Sequence, residues 1–244
     1  MNPFLLAPEF IETDTRKDRV AGTVTYDSLY NRHILLAPES TVKDKTVLDL
    51  GCAVGATGYW VLYNGAKSYT GIDSQKSFVE KAKNNLSGYN AEIILSDIED
   101  FLNSTDKKWD IIICAGFLFS FLDFTSILKK VTSLANDYVT IDTNSINNTL
   151  NSVPQAEIRM TKISNERKTD NVGYGISINY AMLKIYMESY GFESCGEPQY
   201  LENINMYGET GIRYISRYVN TGIKIETLVD SFRNNGKEIP WIKL

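Results

Sequence analysis

Between Val47 and Gly58 the chain reads VLDLGCAVGATG, an apolar strand that ends in an acid and enters a turn of small residues. Glycine has no Cβ and takes positive φ without strain, so such a turn lets a ligand approach the main chain closely. The helix that follows presents its positive end to an anionic group. Strand, glycine-rich turn and helix in that order open a doubly wound α/β sheet, and a nucleotide-like cofactor sits at the end of its first strand.

The spacing sets aside two common users of such a turn. A dinucleotide fingerprint is Gly-x-Gly-x-x-Gly, and a P-loop is Gly-x-x-x-x-Gly-Lys followed by Ser or Thr. This chain has Gly51-x-Ala53-x-Gly55-x-x-Gly58 and no P-loop. The stretch resembles motif I of the class I S-adenosylmethionine-dependent methyltransferases, Asp/Glu-x-Gly-x-Gly-x-Gly, with Ala53 at the middle glycine. If that position needs φ > 0, the added Cβ costs roughly 1–2 kcal/mol.

Three later segments extend the resemblance. Ser68 to Asp73 is a β-branched and aromatic strand ending in an acid, placed where a doubly wound sheet accepts hydrogen bonds from a ribose. The resemblance gives Asp73 the ribose hydroxyls; its plainer role is to cap a turn. Ser74 is expected to cap a helix over Lys76 to Leu86. A third strand, Ala91 to Leu95, precedes Asp97 and Ile98, which the resemblance places at the adenine amino group and ring. Asp97 equally suits the start of a helix that carries Glu99 and Asp100 in its first turn.

The fourth segment, Asp110 to Leu122, is the most apolar of the chain. Its apolar run is too short for a membrane span, which needs about 20 residues, so it reads as a strand buried on both faces. Its end, Ala115-Gly116-Phe117-Leu118-Phe119-Ser120, resembles motif IV, with Ser120 where relatives carry a histidine. Proton transfer by that histidine does not carry over. The resemblance thus assigns the methyl donor, S-adenosylmethionine, to Asp49, Gly51, Cys52, Ala53, Gly55, Asp73, Ser74, Asp97, Ile98 and Ala115, and implies no metal.

Strands alternating with helical stretches at Ala56 to Tyr63, Lys76 to Leu86, Asp97 to Leu102 and Phe124 to Ala135 predict an α/β fold. The expectation is a doubly wound, mostly parallel seven-stranded sheet with an antiparallel last strand and helices on both faces. Asp137 to Asp142 is the fifth strand. A helix over Ser177 to Tyr190 with Gly191 as its αL cap, then strands near Phe192 to Cys195 and Ile212 to Val219, complete the sheet. All 244 residues are expected to form a single domain. Residues 1–45 are its N-terminal helical cap, 46–143 the cofactor-binding core, 144–175 an insertion or lid, 176–220 the rest of the sheet and 221–244 a tail. The insertion is long for a compact domain, and Glu157 to Ile163 within it alternates like a strand. The tail carries a short helix over Ile225 to Phe232 and Pro240-Trp241. Cys52, Cys114 and Cys195 form no pairing pattern and the N-terminus lacks a secretory signal, which fits a reducing cytoplasm.

The acceptor is less legible. A formal net charge of −5 opposes a generic grip on a polyanion. The basic residues Arg159, Lys162, Arg167 and Lys168 are interleaved with Glu157, Glu166 and Asp170. A small-molecule acceptor is therefore favoured, with tRNA or RNA as the rival and a catalytically silent partner subunit as a further alternative. An aminopropyl transferase fits less well, because its loop reads Gly-Gly-Gly-Asp-Gly. There is no Asn/Asp-Pro-Pro-Tyr turn after the fourth strand, no Pro-Cys pair and no pair of glutamates between Phe117 and Phe124. This sets aside the familiar adenine or cytosine amine, cytosine C5 and arginine chemistries. His33, the sole histidine, lies in a helical segment before the first strand and titrates near neutrality, so it is a candidate base; its alternative is packing. Tyr26, Tyr30 and Arg32 share its helix and, with Phe117, Phe119, Ser120 and Asn144, are the candidate acceptor contacts. Tyr174 and Tyr180 are expected near the opening. A monomer or a homodimer suits this reading, with no membrane partner.

Overall fold

The computed structural model describes residues 2–12, 25–145, 154, 156–160, 174–201 and 212–222. Ten strands are present among them: β1 (Thr46–Leu50), β2 (Ser68–Asp73), β3 (Ala91–Leu95), β4 (Trp109–Ala115), β5 (Ala135–Ser145), β6 (Ala156–Met160), β7 (Tyr174–Ile178), β8 (Phe192–Ser194), β9 (Gln199–Leu201) and β10 (Ile212–Asn220). The main sheet runs β3-β2-β1-β4-β5-β10-β8. The first five of these pair in parallel, while β10 pairs antiparallel with β5, β8 and β9. This is the expected seven-strand path, with β9 as an eighth strand beside β10.

Each central strand feeds two cores. On β4, Ile112 and Cys114 face one apolar cluster and Ile111 and Ile113 the other; on β1, Leu48 and Leu50 oppose Val47. Period-two alternation with apolar residues on both faces requires helices above and below. One layer holds α2 (Tyr26–Leu36), α4 (Ala56–Tyr63) and α5 (Lys76–Asn85), and the other α6 (Ile98–Ser104), α7 (Phe124–Leu134) and α8 (Tyr180–Ser189). Two single-turn helices, α1 (Glu9–Glu12) and α3 (Glu39–Val42), flank α2. Strand order reverses between β1 and β4, which puts the topological switch point, and the crevice such sheets use for ligands, at their carboxyl ends.

Two boundaries depart from expectation. The helix expected from Ser177 starts at Tyr180, because the Asn179 side chain accepts from Met182 N at 3.0 Å and caps it there. Ser177 and Ile178 belong instead to β7, which pairs antiparallel with β6 as a separate two-stranded sheet. The strand expected at Glu157 to Ile163 is thus present as β6, starting at Ala156. The tail helix at Ile225 to Phe232 and Pro240-Trp241 lie outside the described residues. No helix among the described residues is long and apolar enough to cross a membrane.

Candidate methyl donor site

The turn after β1 is built by backbone geometry. Gly51 and Gly55 have φ of 79° and 88°, and Ala53 sits between them at 47°, in the left-handed region that an L side chain enters at a cost. Main-chain bonds hold it there. Gly51 N and Cys52 N both donate to Ile72 O of β2, at 2.8 and 2.9 Å, and Gly55 N donates to Cys52 O at 2.9 Å. Ala53 N donates to Asp73 Oδ2 at 2.9 Å. These N–H groups therefore fasten the turn to its neighbours and do not cradle an anion. What the turn offers instead is room, together with the first turn of α4, whose N-cap Gly55 supplies no side-chain cap.

Two carboxylates define the floor. Asp73 is 8% exposed at the end of β2, and its second oxygen accepts from Gln75 N at 2.9 Å. Here the structure corrects one assignment: the helix cap falls at Gln75, without a side-chain bond, and Ser74 is exposed beside it. Asp49, 1% exposed, accepts from the Tyr69 hydroxyl at 2.8 Å, while its Oδ1 is buried without a hydrogen-bond partner. Burial pushes its carboxyl up to about 6, against the pull of the Tyr69 hydroxyl and the Arg32 charge.

The remaining donor residues lie around the same crevice. Asp97 caps α6 by accepting from Glu99 N at 2.8 Å, and Ile98 behind it is buried. Ala115 ends β4. Phe117 lies over the first glycine, so that a Cβ added at Gly51 would meet its Cδ1 at 3.5 Å. Cys52 is buried under the turn, where a Cβ added at Gly71 would meet its Sγ at 2.9 Å.

Residues 41–189 match the family model of a methyltransferase domain. The chain belongs to the class I S-adenosylmethionine-dependent methyltransferases. Over 78 residues it is 32% identical to ribosomal RNA small subunit methyltransferase G of Fusobacterium nucleatum, a stretch that covers 30% of this chain and 34% of the relative. It thus spans about a third of that relative's length. Among solved structures, magnesium protoporphyrin IX methyltransferase (ChlM) from Synechocystis PCC 6803 with bound SAM superposes with a TM-score of 0.58 at 15% identity, covering 90% of this chain and 97% of that one. The N-methyltransferase NodS from Bradyrhizobium japonicum WM9, in complex with S-adenosyl-L-homocysteine, gives 0.59 at 14% identity, covering 90% and 99%.

In this methyltransferase the residues read from sequence as donor contacts stand at or just beyond the carboxyl ends of β1 to β4, whereas the acceptor candidates divide. Tyr26 and Tyr30 are half-buried on α2, Tyr30 edge-on to Trp60. Phe119 is half-buried and Ser120 exposed in the turn after β4, and β7 packs against that turn. The backbone of Asn144 pairs with Arg213, and Tyr174 begins β7; their side chains lie outside the description. Tyr180 is not at an opening. It is 6% exposed, and its hydroxyl is shared with Ser194 Oγ at 2.5 Å and Gly196 O at 3.1 Å.

His33 also moves out of the expected role. It is fully buried, with Nδ1 at 2.6 Å from Leu29 O and Nε2 at 3.4 Å from Thr57 Oγ1, and it packs against Phe4 and Trp60. A sealed ring engaged at both nitrogens is a packing residue that joins α2 to α4. Arg32 does not project into a pocket either; its Nε and Nη2 donate to Asp142 Oδ2 at 3.1 and 2.7 Å. Asp142 and Arg213 were not visible as site residues in the sequence. The one available signal was an acid closing the fifth strand as Asp49 and Asp73 close the first two.

Proposed function

We propose that the enzyme moves a methyl group from S-adenosylmethionine to an oxygen, nitrogen or activated carbon of a small molecule. The observation that carries this reading is the pairing of the Asp73 carboxylate with Ala53 N, which joins a left-handed small-residue turn to an acid at the next strand end. In this reading Asp49, Gly51, Cys52, Ala53, Gly55, Asp73, Ser74, Asp97, Ile98 and Ala115 hold the donor, with Asp73 toward the ribose and Asp97 and Ile98 toward the adenine. The unpartnered Asp49 oxygen suits an ammonium group. The bound donor supplies an already activated methyl group, so the protein's share is to hold the acceptor in line and to exclude water. In this reading Tyr26, Tyr30, Phe117, Phe119, Ser120 and Asn144 are the acceptor contacts; most of the lid expected at 144–175 lies outside the described residues. With His33 sealed, we assign no general base.

The acidic chain favours a small acceptor, acting in the cytoplasm as one domain of residues 1–244 and as a monomer or homodimer. An RNA acceptor is the second reading, supported by the likeness to a ribosomal RNA methyltransferase over 78 residues. Calorimetry with S-adenosylmethionine tests the donor site, and equal binding by Asp73→Ala counts against it. Incubation with labelled donor and fractionated small molecules, RNA and protein then separates the acceptors. Label confined to RNA reverses the ranking, and label in no fraction favours a silent partner subunit.

A further inference from the structure

The carboxyl end of β5 carries a cluster that the donor site does not use. Asp142 is fully buried there and takes hydrogen bonds from two guanidinium groups: Arg32 of α2, through Nε and Nη2, and Arg213 of β10, through Nη2 at 2.9 Å and through Nε. Its main-chain oxygen accepts from Gly116 N at 2.9 Å. Gly116 opens the turn after β4 with φ of 82°, and a Cβ on it would lie 2.5 Å from Arg213 Nη2. Glycine is required here so that the guanidinium can cross the turn and reach Asp142. Three separate elements, α2, the β4 turn and β10, are therefore pinned to one residue. Two of them border the crevice: the β4 turn sets Phe117 over Gly51, and the residue after Arg32, His33, reaches Thr57 in the first turn of α4.

We propose that Asp142 is a positioning residue for methyl transfer, setting through Arg32 and Arg213 where α2 and the β4 turn stand around the acceptor. This rests on the methyltransferase function proposed above. Most donor groups are held by β1, β2, the turn after β1 and the start of α6, and only Ala115 adjoins the pinned turn, so loss of the pin displaces the acceptor side first and leaves most of the donor side in place. The bidentate Arg–carboxylate geometry suits this work because it fixes angle as well as distance.

Asp142→Asn strips two buried guanidinium groups of their counter-charge and endangers the fold itself, so Arg32→Gln and Arg32→Lys carry the test. At pH 8, above the raised Asp49 carboxyl of the wild type, Arg32→Gln is expected to bind S-adenosylhomocysteine within about threefold of wild type, while labelled methyl transfer into the extract falls about tenfold or more. Amide exchange over residues 26–36 is expected to quicken about tenfold with β1 and β2 unchanged. Arg32→Lys should recover part of the transfer, since it keeps the charge and loses the fork. Unchanged exchange over α2, or donor binding and transfer that fall in parallel, overturns the proposal. Wild-type protein that neither binds S-adenosylhomocysteine nor transfers label defeats the proposed function first, and the positioning role with it.

Discussion

The two halves of the crevice are built differently. On the donor side the turn after β1 is held by main-chain bonds to Ile72 and by one carboxylate about 20 residues away. On the acceptor side, Arg32 of α2 and Arg213 of β10, far apart in sequence, meet on the side chain of Asp142, and the β4 turn binds its main-chain oxygen. Backbone-built sites demand particular residues at fixed local spacing, because few side chains tolerate positive φ or close approach. A side-chain cluster demands only that the fold bring its members together. The first kind leaves a motif, and the second leaves none.

The largest expected effect tests the acceptor side. Asp142→Asn should cost about 3–5 kcal/mol of unfolding free energy, because it leaves two guanidinium groups buried without their counter-charge; a denaturant midpoint close to wild type would show that the cluster is not a pin. On the donor side, Asp73→Ala removes the acceptor of Ala53 N, and donor affinity measured by calorimetry should fall by about 2–3 kcal/mol.

A pH series sharpens the contrast. Asp49 is raised to about 6, so the native chain keeps this proton to higher pH than the unfolded chain does. Its contribution to stability is full at low pH and falls as pH rises from about 4 to about 6, by at most about 3 kcal/mol. Asp142 is lowered despite its burial, held down by Arg213 and Arg32; its contribution is lost in the other direction, as pH drops below the ordinary carboxylate range. A cationic donor favours ionised Asp49, so its affinity should rise through pH 6, and Asp49→Asn should flatten that profile.

Two smaller effects complete the series. Ala53→Gly relieves the left-handed Cβ and should tighten donor binding or raise stability by about 1 kcal/mol, read from calorimetry and melting curves. His33→Gln should change labelled transfer by less than about threefold once corrected for stability, whereas loss of an essential base would cost about 100-fold or more.

These residues also show what the sequence could carry. The β1 turn, the acids at the ends of β2 and β3 and the apolar β4 were all legible, because each is a local pattern of period, turn and charge. His33 was left open between base and packing because helical spacing cannot say that Phe4, from a distant N-terminal segment, packs against the ring. Ser74 was misread because Asp73, which binds Ala53 N and Gln75 N, already organises the turn. Arg32 read as an acceptor contact, since nothing local points to a partner 110 residues away.

The cysteine tucked beneath the donor turn has a chemical consequence. Burial, and then the neighbouring charges of Asp49 and Asp73, push the Cys52 thiol well above its ordinary range. Only a thiolate attacks an alkylating reagent effectively, so in an enzyme that handles a methyl sulfonium this sulfur is kept as a poorly nucleophilic S–H.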